Sequence, residues 1–319
     1  MQRWLLPSYN LERDLSAFLE KAGELDASGG PVTLDFGAVQ FWIPAPIVYL
    51  CALILRWHEA GRSIFFINHT ECKAFSYLQR IDFFARVGLD LPESFTRHPR
   101  GSDFVEIAEV PTVTCGQAVD QVTQRMAACL AGDNNDDARQ MAEFSLGEII
   151  ANVQQHSCIS GFCCAQYFAK HDWARLGVAD AGLGMLRSFE MNKAPVYLEN
   201  PYMSHRDALE QALRPWVSSK KHLAHGAYGR PSNRGIGLNM VHHMISGSCG
   251  QLFIATGNSM VEFHGEKLPK WTTFRYPIPG TVVSILFPRA NVPAYYGLLS
   301  DAHAALNLTV DGDEDRFFV

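Results

Sequence analysis

Apolar and polar residues alternate at Val32, Thr33, Leu34 and Asp35, the two-residue period of a strand, so residues 31–39 read as a strand ending in a turn. After a turn at Pro44 and Pro46, residues 47–60 carry the pattern of a helix, which Gly61 closes as a glycine cap. Residues 63–68 (SIFFIN) read as a buried strand. A second amphipathic helix follows over 73–87, with Phe75, Leu78, Phe83 and Val87 at helical spacing. Strand–helix–strand–helix predicts a small α/β unit, its sheet covered by helices on at least one face, with Phe83 and Phe84 in the core. Between 91 and 113, Pro92, Pro99, Gly101 and Pro111 lie among charged residues, which predicts a linker and a boundary near residue 112.

The second half predicts helices over 116–130 and 138–157, separated by a polar loop (GDNNDD, 132–137) that supplies an N-cap. Residues 161–170 and 173–179 read as a hairpin. A long irregular stretch, 195–233, contains one helix at 206–213. Then come a helix at 238–246, strands at 251–255, 260–264 and 281–287, a helix at 294–306 and a loose tail at 311–319.

With 319 residues, 47% hydrophobic and 19% charged, the chain is expected to form two domains with real cores. A net charge of -6 argues against a general nucleic-acid coat. None of the eight cysteines forms a C-x-x-C pair, and the cluster Cys158, Cys163, Cys164 has poor zinc spacing, so free thiols in a reducing compartment are expected. Met1 leads into mixed sequence, and the longest apolar run, 44–55, is too short to span a bilayer. A cytoplasmic protein without membrane contact is the expectation.

Three motifs carry candidate chemistry. Glu148, Asn152 and His156 are spaced by four on a helix and share one face. A carboxylate there can activate a nucleophile, and an amide offers an uncharged oxygen to a hard cation such as Mg²⁺. Directly after a strand comes Asp180-Ala-Gly182-Leu-Gly184, in which the Asp can accept a hydrogen bond from an exocyclic amine and the glycines let backbone approach a flat ring. Arg234-Gly235-Ile-Gly237-Leu238 opens a helix, whose free N–H groups attract phosphate. Lys220, Lys221, Arg230 and Arg234 lie in or near the irregular stretch before it, where they can close over phosphates as a lid.

In this order, a Glu148/Asn152 helix, D-x-G-x-G and G-x-G-L resemble the GHKL ATPase superfamily, which includes sensor histidine kinases, anti-sigma-factor serine kinases and type II topoisomerase ATPase subunits. Gly280-Thr281 before an apolar strand ending at Pro288 is similar to the closing strand of that fold. The resemblance covers about residues 115–290. It implies a Bergerat-fold α/β sandwich over 113–290, inside a chain of α/β (α+β) class, with ATP and Mg²⁺ as cofactors. Asn152 would bind Mg²⁺, Asp180 would hold the adenine amino group, and Glu148 would be the general base. His156, Leu238 and the glycines 182, 184, 235 and 237 would shape the nucleotide site, and Thr281 would support adenine through water. No H-box with a phosphoacceptor His precedes these motifs, unlike the sensor kinases.

Residues 1–112 resemble a STAS-like domain through Val32-Thr-Leu-Asp35-Phe36, the following helix and the strand at 63–68. That resemblance implies a protein partner. Where such antagonists carry a Ser or Thr, this chain reads Trp42-Ile-Pro-Ala-Pro46. Residues 291–319 are expected as a C-terminal helix and acidic tail. The expected function is an ATP- and Mg²⁺-binding regulatory protein, a slow ATPase or a serine/threonine kinase in partner-switching signalling. The alternatives are a non-catalytic nucleotide-dependent interaction module and an ATP-gated dimeric clamp; a homodimer stays open, and nucleic acid is not an expected partner.

Overall fold

The computed structural model describes residues 2–8, 12–93, 95–97, 103–112, 116–132, 135–219 and 235–306. Lys220, Lys221, Arg230 and Arg234, and the tail at 311–319, lie outside the described residues. The architecture is mixed α/β of the α+β class, with one parallel and one antiparallel sheet.

The first sheet is β1 (Gln2–Leu5), β2 (Val32–Asp35) and β3 (Ile64–Ile67), parallel and in that order. Parallel neighbours need long crossovers, and α1 (Leu15–Ser28) and α2 (Pro44–Glu59) supply them. Neither β1 nor α1 is among the sequence expectations. α2 starts at Pro44 instead of 47, because a proline in the first turn forfeits no intrahelical bond. β3 is an edge strand and not a buried one, with Phe65 49% exposed. The expected helix over 73–87 is two pieces, α3 (Phe75–Arg80) and α4 (Phe83–Arg86), broken where Asp82 takes a left-handed φ of 66°.

The stretch expected as a linker carries β4 (Phe104–Val110), an edge strand of the second sheet. That sheet adds β5 (Gly161–Phe168), β6 (Trp173–Asp180), β7 (Gln251–His264) and β8 (Lys270–Pro288), in the order β4-β5-β6-β8-β7. The Gly265 N–H donates to the Gly250 carbonyl (3.0 Å), so the two ends of β7 meet. A straight strand of 14 residues separates its ends by about 45 Å. β7 therefore doubles back at Gly257 (φ 56°), and its arms correspond to the two short strands expected from the sequence. β8 follows it: Thr281 to Leu286 pair with the first arm, and Lys270 to Thr273 with the second.

One face of this sheet carries α5 (Gly116–Ala131), α6 (Asp136–His156), α10 (Gly237–Gly247) and α11 (Tyr295–Ala305) around a single core. The C-terminal helix thus belongs to this layer. α6 opens on Asn135, whose side chain accepts the Ala138 N–H (2.9 Å). On the opposite face lie α1 and α2, sharing one continuous core with the three-stranded sheet. The layers run sheet, helices, sheet, helices. Cys163 and Cys164, adjacent on β5, point to opposite faces and join opposite cores. A buried ion pair, Glu12 to Arg175 on β6 (3.3 Å), ties the N-terminal segment to the second sheet. Among the described residues, no helix is long and apolar enough to cross a membrane.

Candidate functional site

The site forms where β6 ends. Asp180 is the last residue of that strand and is buried, with its backbone paired to Thr281 of β8. Its neighbours Val178 and Ala179 belong to the cores on opposite faces, so Asp180 faces the same side as Val178, toward α6 and α10. By the same alternation Thr281 and Thr256 face that side, and the register places Asp180, Thr281 and Thr256 in one row across three strands.

The chain then turns through Gly182 into α7 (Gly184–Met191), which α8 (Pro195–Glu199) and α9 (His205–Ala212) follow. The Gly182 N–H donates to Asp180 Oδ1 (2.8 Å), and the Leu183 N–H to the Ser157 carbonyl (3.1 Å) at the end of α6. A Cβ on Gly182 would fall 1.9 Å from that carbonyl, so only glycine lets the turn lie against α6. Gly184 has φ +69°, in the left-handed region where glycine carries no Cβ penalty. Thr256 Oγ1 accepts the Met185 N–H (3.1 Å) and donates to the Gly280 carbonyl (3.0 Å). Pro279 and Gly280 form a bulge between the pairs Ile278–Gly257 and Thr281–Thr256, and a bulge at such a place re-aims nearby groups.

α6 crosses above this floor. At one end of its polar face, Glu148 touches the first residue of α10: a Cβ on Gly237 would fall 1.7 Å from Glu148 Oε2. At the other end His156 Nδ1 pairs with Ser219 Oγ (2.9 Å) and lies 3.4 Å from Ser188 Oγ of α7. Asn152, partly buried, is one turn from each. The face is therefore strung between the glycine start of α10 and the turn after β6, a span of about 12 Å for eight residues. Gly235 (φ +69°) packs on Val217, with a Cβ there 2.5 Å from the Val217 carbonyl. Leu238 is buried in the core beneath.

Burial pushes the Asp180 carboxyl up to about 7, although the N–H groups of Gly182 and Thr281 pull it down. Burial likewise raises Glu148 above the ordinary carboxylate range. Both acids hold protons more tightly than exposed ones do.

The structure brings together Glu148, Asn152, His156, Asp180, Gly182, Gly184, Gly235, Gly237, Leu238 and Thr281. Ser188, Ser219 and Thr256 are site residues absent from the sequence expectations, because none belongs to a spaced motif. A cavity of about 260 Å³ opens beside α7, lined by Gly184, Met185, His205, Thr256 and Gly257 among others. Among the described residues it is lined by Thr256 of the Asp180–Thr281–Thr256 row but not by Asp180 or Asn152. No family model matches the chain, and no curated protein matches it.

Proposed function

We propose that the chain binds ATP with Mg²⁺ at the polar face of α6, between α7, α10 and the end of β6, as a regulatory protein similar to the GHKL ATPases. One observation carries this reading: the Glu148–Asn152–His156 face spans from the glycine start of a helix to a glycine turn with a buried carboxyl beneath it. The donor set fits the group. Gly182 and Gly237 let the turn after β6 and the start of α10 lie directly against α6, where a Cβ would strike Ser157 or Glu148. The first N–H groups of α10 point out of the helix and suit a phosphate. Asn152 offers an uncharged oxygen for Mg²⁺, and Asp180 an acceptor for an exocyclic amine. Bound Mg²⁺ would neutralise charge on the phosphates.

Glu148 then takes the proton from a water, or from a serine or threonine hydroxyl of a partner protein; a carboxylate with raised proton affinity is the better base near neutral pH. Turnover is slow ATP hydrolysis or phosphoryl transfer. The STAS-like first unit carries the partner, in the cytoplasm, and nucleic acid plays no part. ATP titrated with and without Mg²⁺, followed by phosphate release over hours, tests the reading. Glu148→Ala is expected to abolish release and spare binding, and Asn152→Ala to lose both. Full turnover in Glu148→Ala removes the base assignment. Failure of the unaltered protein to bind ATP overturns the proposal.

A further inference from the structure

We propose that Tyr49 and Arg56, both on α2, are positioning residues that set the aim of Asp180 and so the preference for a 6-amino purine. This rests on the nucleotide reading above. The two residues are seven apart, two helical turns, and so share one face of α2. Tyr49 is completely buried, and its hydroxyl donates to the Pro279 carbonyl (3.0 Å). Arg56 Nη1 donates to the Ala181 carbonyl at 3.4 Å, a long bond, while its Nε lies 3.4 Å from Asp26 Oδ1.

Those two carbonyls belong to the two turns that confine Asp180. Ala181 links it to Gly182, whose N–H holds Oδ1. Pro279 precedes Gly280 (φ +74°), where a Cβ would lie 2.1 Å from the Asp180 carbonyl and 2.6 Å from Oδ1. Thr281, next along, gives Asp180 its second backbone N–H. α2 thus grips the peptide on either side of a buried carboxyl from the opposite face of the sheet. Both side chains lie on the face of the sheet opposite α6, so each acts through the backbone it holds. A donor shifted by a fraction of an ångström weakens a hydrogen bond steeply. A buried acceptor built for one amine discriminates strongly against a ligand lacking it.

The test compares ATP with purine riboside triphosphate, which lacks only the 6-amino group. It uses the full chain, Tyr49→Phe, and separately Arg56→Gln. The second site is half-exposed and its loss leaves Asp26 bonded to Trp57 Nε1 (2.8 Å), so that variant keeps the fold. In the unaltered protein ATP is expected to bind at least about tenfold tighter than the analogue. Each variant is expected to lower that ratio to about threefold or less, with the loss falling on ATP and the analogue changed less than about twofold. If both ligands weaken alike and the ratio stands, Tyr49 and Arg56 only support the fold and the assignment is overturned. It is likewise overturned if both variants bind as the parent does. Binding of neither ligand by the parent instead overturns the nucleotide reading, and this assignment with it.

Discussion

A carboxyl group shut away from water, with two backbone N–H groups in front of it, keeps its proton up to about pH 7, as Asp180 does. In the unfolded chain the same group titrates near 3.8. The folded state therefore binds the proton more tightly, and the stability this gives is present in full below about pH 4. It is lost as the pH rises through 7. Asp180→Asn keeps an oxygen for the Gly182 N–H and removes the titration. It is expected to unfold at higher temperature than the parent at pH 8, by the equivalent of about 4 kcal/mol. The gap is expected to shrink as the pH falls toward 4, and nucleotide binding to weaken at every pH. Melting curves across that range check it; a difference independent of pH would mean that Asp180 is ionised throughout. At this scale, what could be read from sequence was local: four-residue spacing on α6 and glycines two apart. Thr256 joins the site, and Tyr49 and Arg56 brace it from behind, through contacts between residues far apart in the chain, which no local spacing encodes.

Among the elements, α2 packs backbone to backbone on the second sheet. Its first turn lies directly on β6, where a Cβ on Gly177 would fall 2.6 Å from Ala45 N and 2.7 Å from the Pro44 carbonyl carbon. Both are backbone atoms, so nothing can swing aside. Gly177→Val is expected to cost about 3 kcal/mol or more, since overpacking a close-packed interface moves the backbone. Gly147, exposed in the middle of α6, has nothing within 4 Å of such an atom. Gly147→Ala is expected to stabilise by about 0.5–1 kcal/mol through helix propensity alone. Chemical denaturation of the two variants should thus give shifts of opposite sign. Helices with an uninterrupted 3.6-residue period, at α5, α6, α10 and α11, could be read to within a few residues. The break between α3 and α4 could not, because Asp82 enters the left-handed region on tertiary demand that a short polar residue tolerates. β4 was hidden by the prolines around it. β1, at four residues, is too short for alternation to register.

Over the whole molecule, the five-stranded sheet is apolar on both faces, and α1 and α2 cover one of them. Residues such as Phe162, Phe253 and Leu286 face that layer and are buried there. A chain beginning at residue 103 would expose them as a contiguous patch, a form that soluble monomers rarely carry. It is expected to aggregate or to show no cooperative melt, while the full chain unfolds in one calorimetric transition. A soluble fragment with its own sharp transition would show that the second half folds independently. The boundary expected near residue 112 came from proline and charge density, which mark surface loops. They do not report whether the elements on either side share a core.

The placement of α2 between the two sheets also has a thermodynamic corollary. Two ligands that bias the position of one shared element must obey reciprocity, whatever their distance apart. If a protein settling on the three-stranded sheet changes nucleotide affinity by some factor through α2, nucleotide changes that protein's affinity by the same factor. The chain would then need no separate signalling step, because occupancy at either end would be felt at the other.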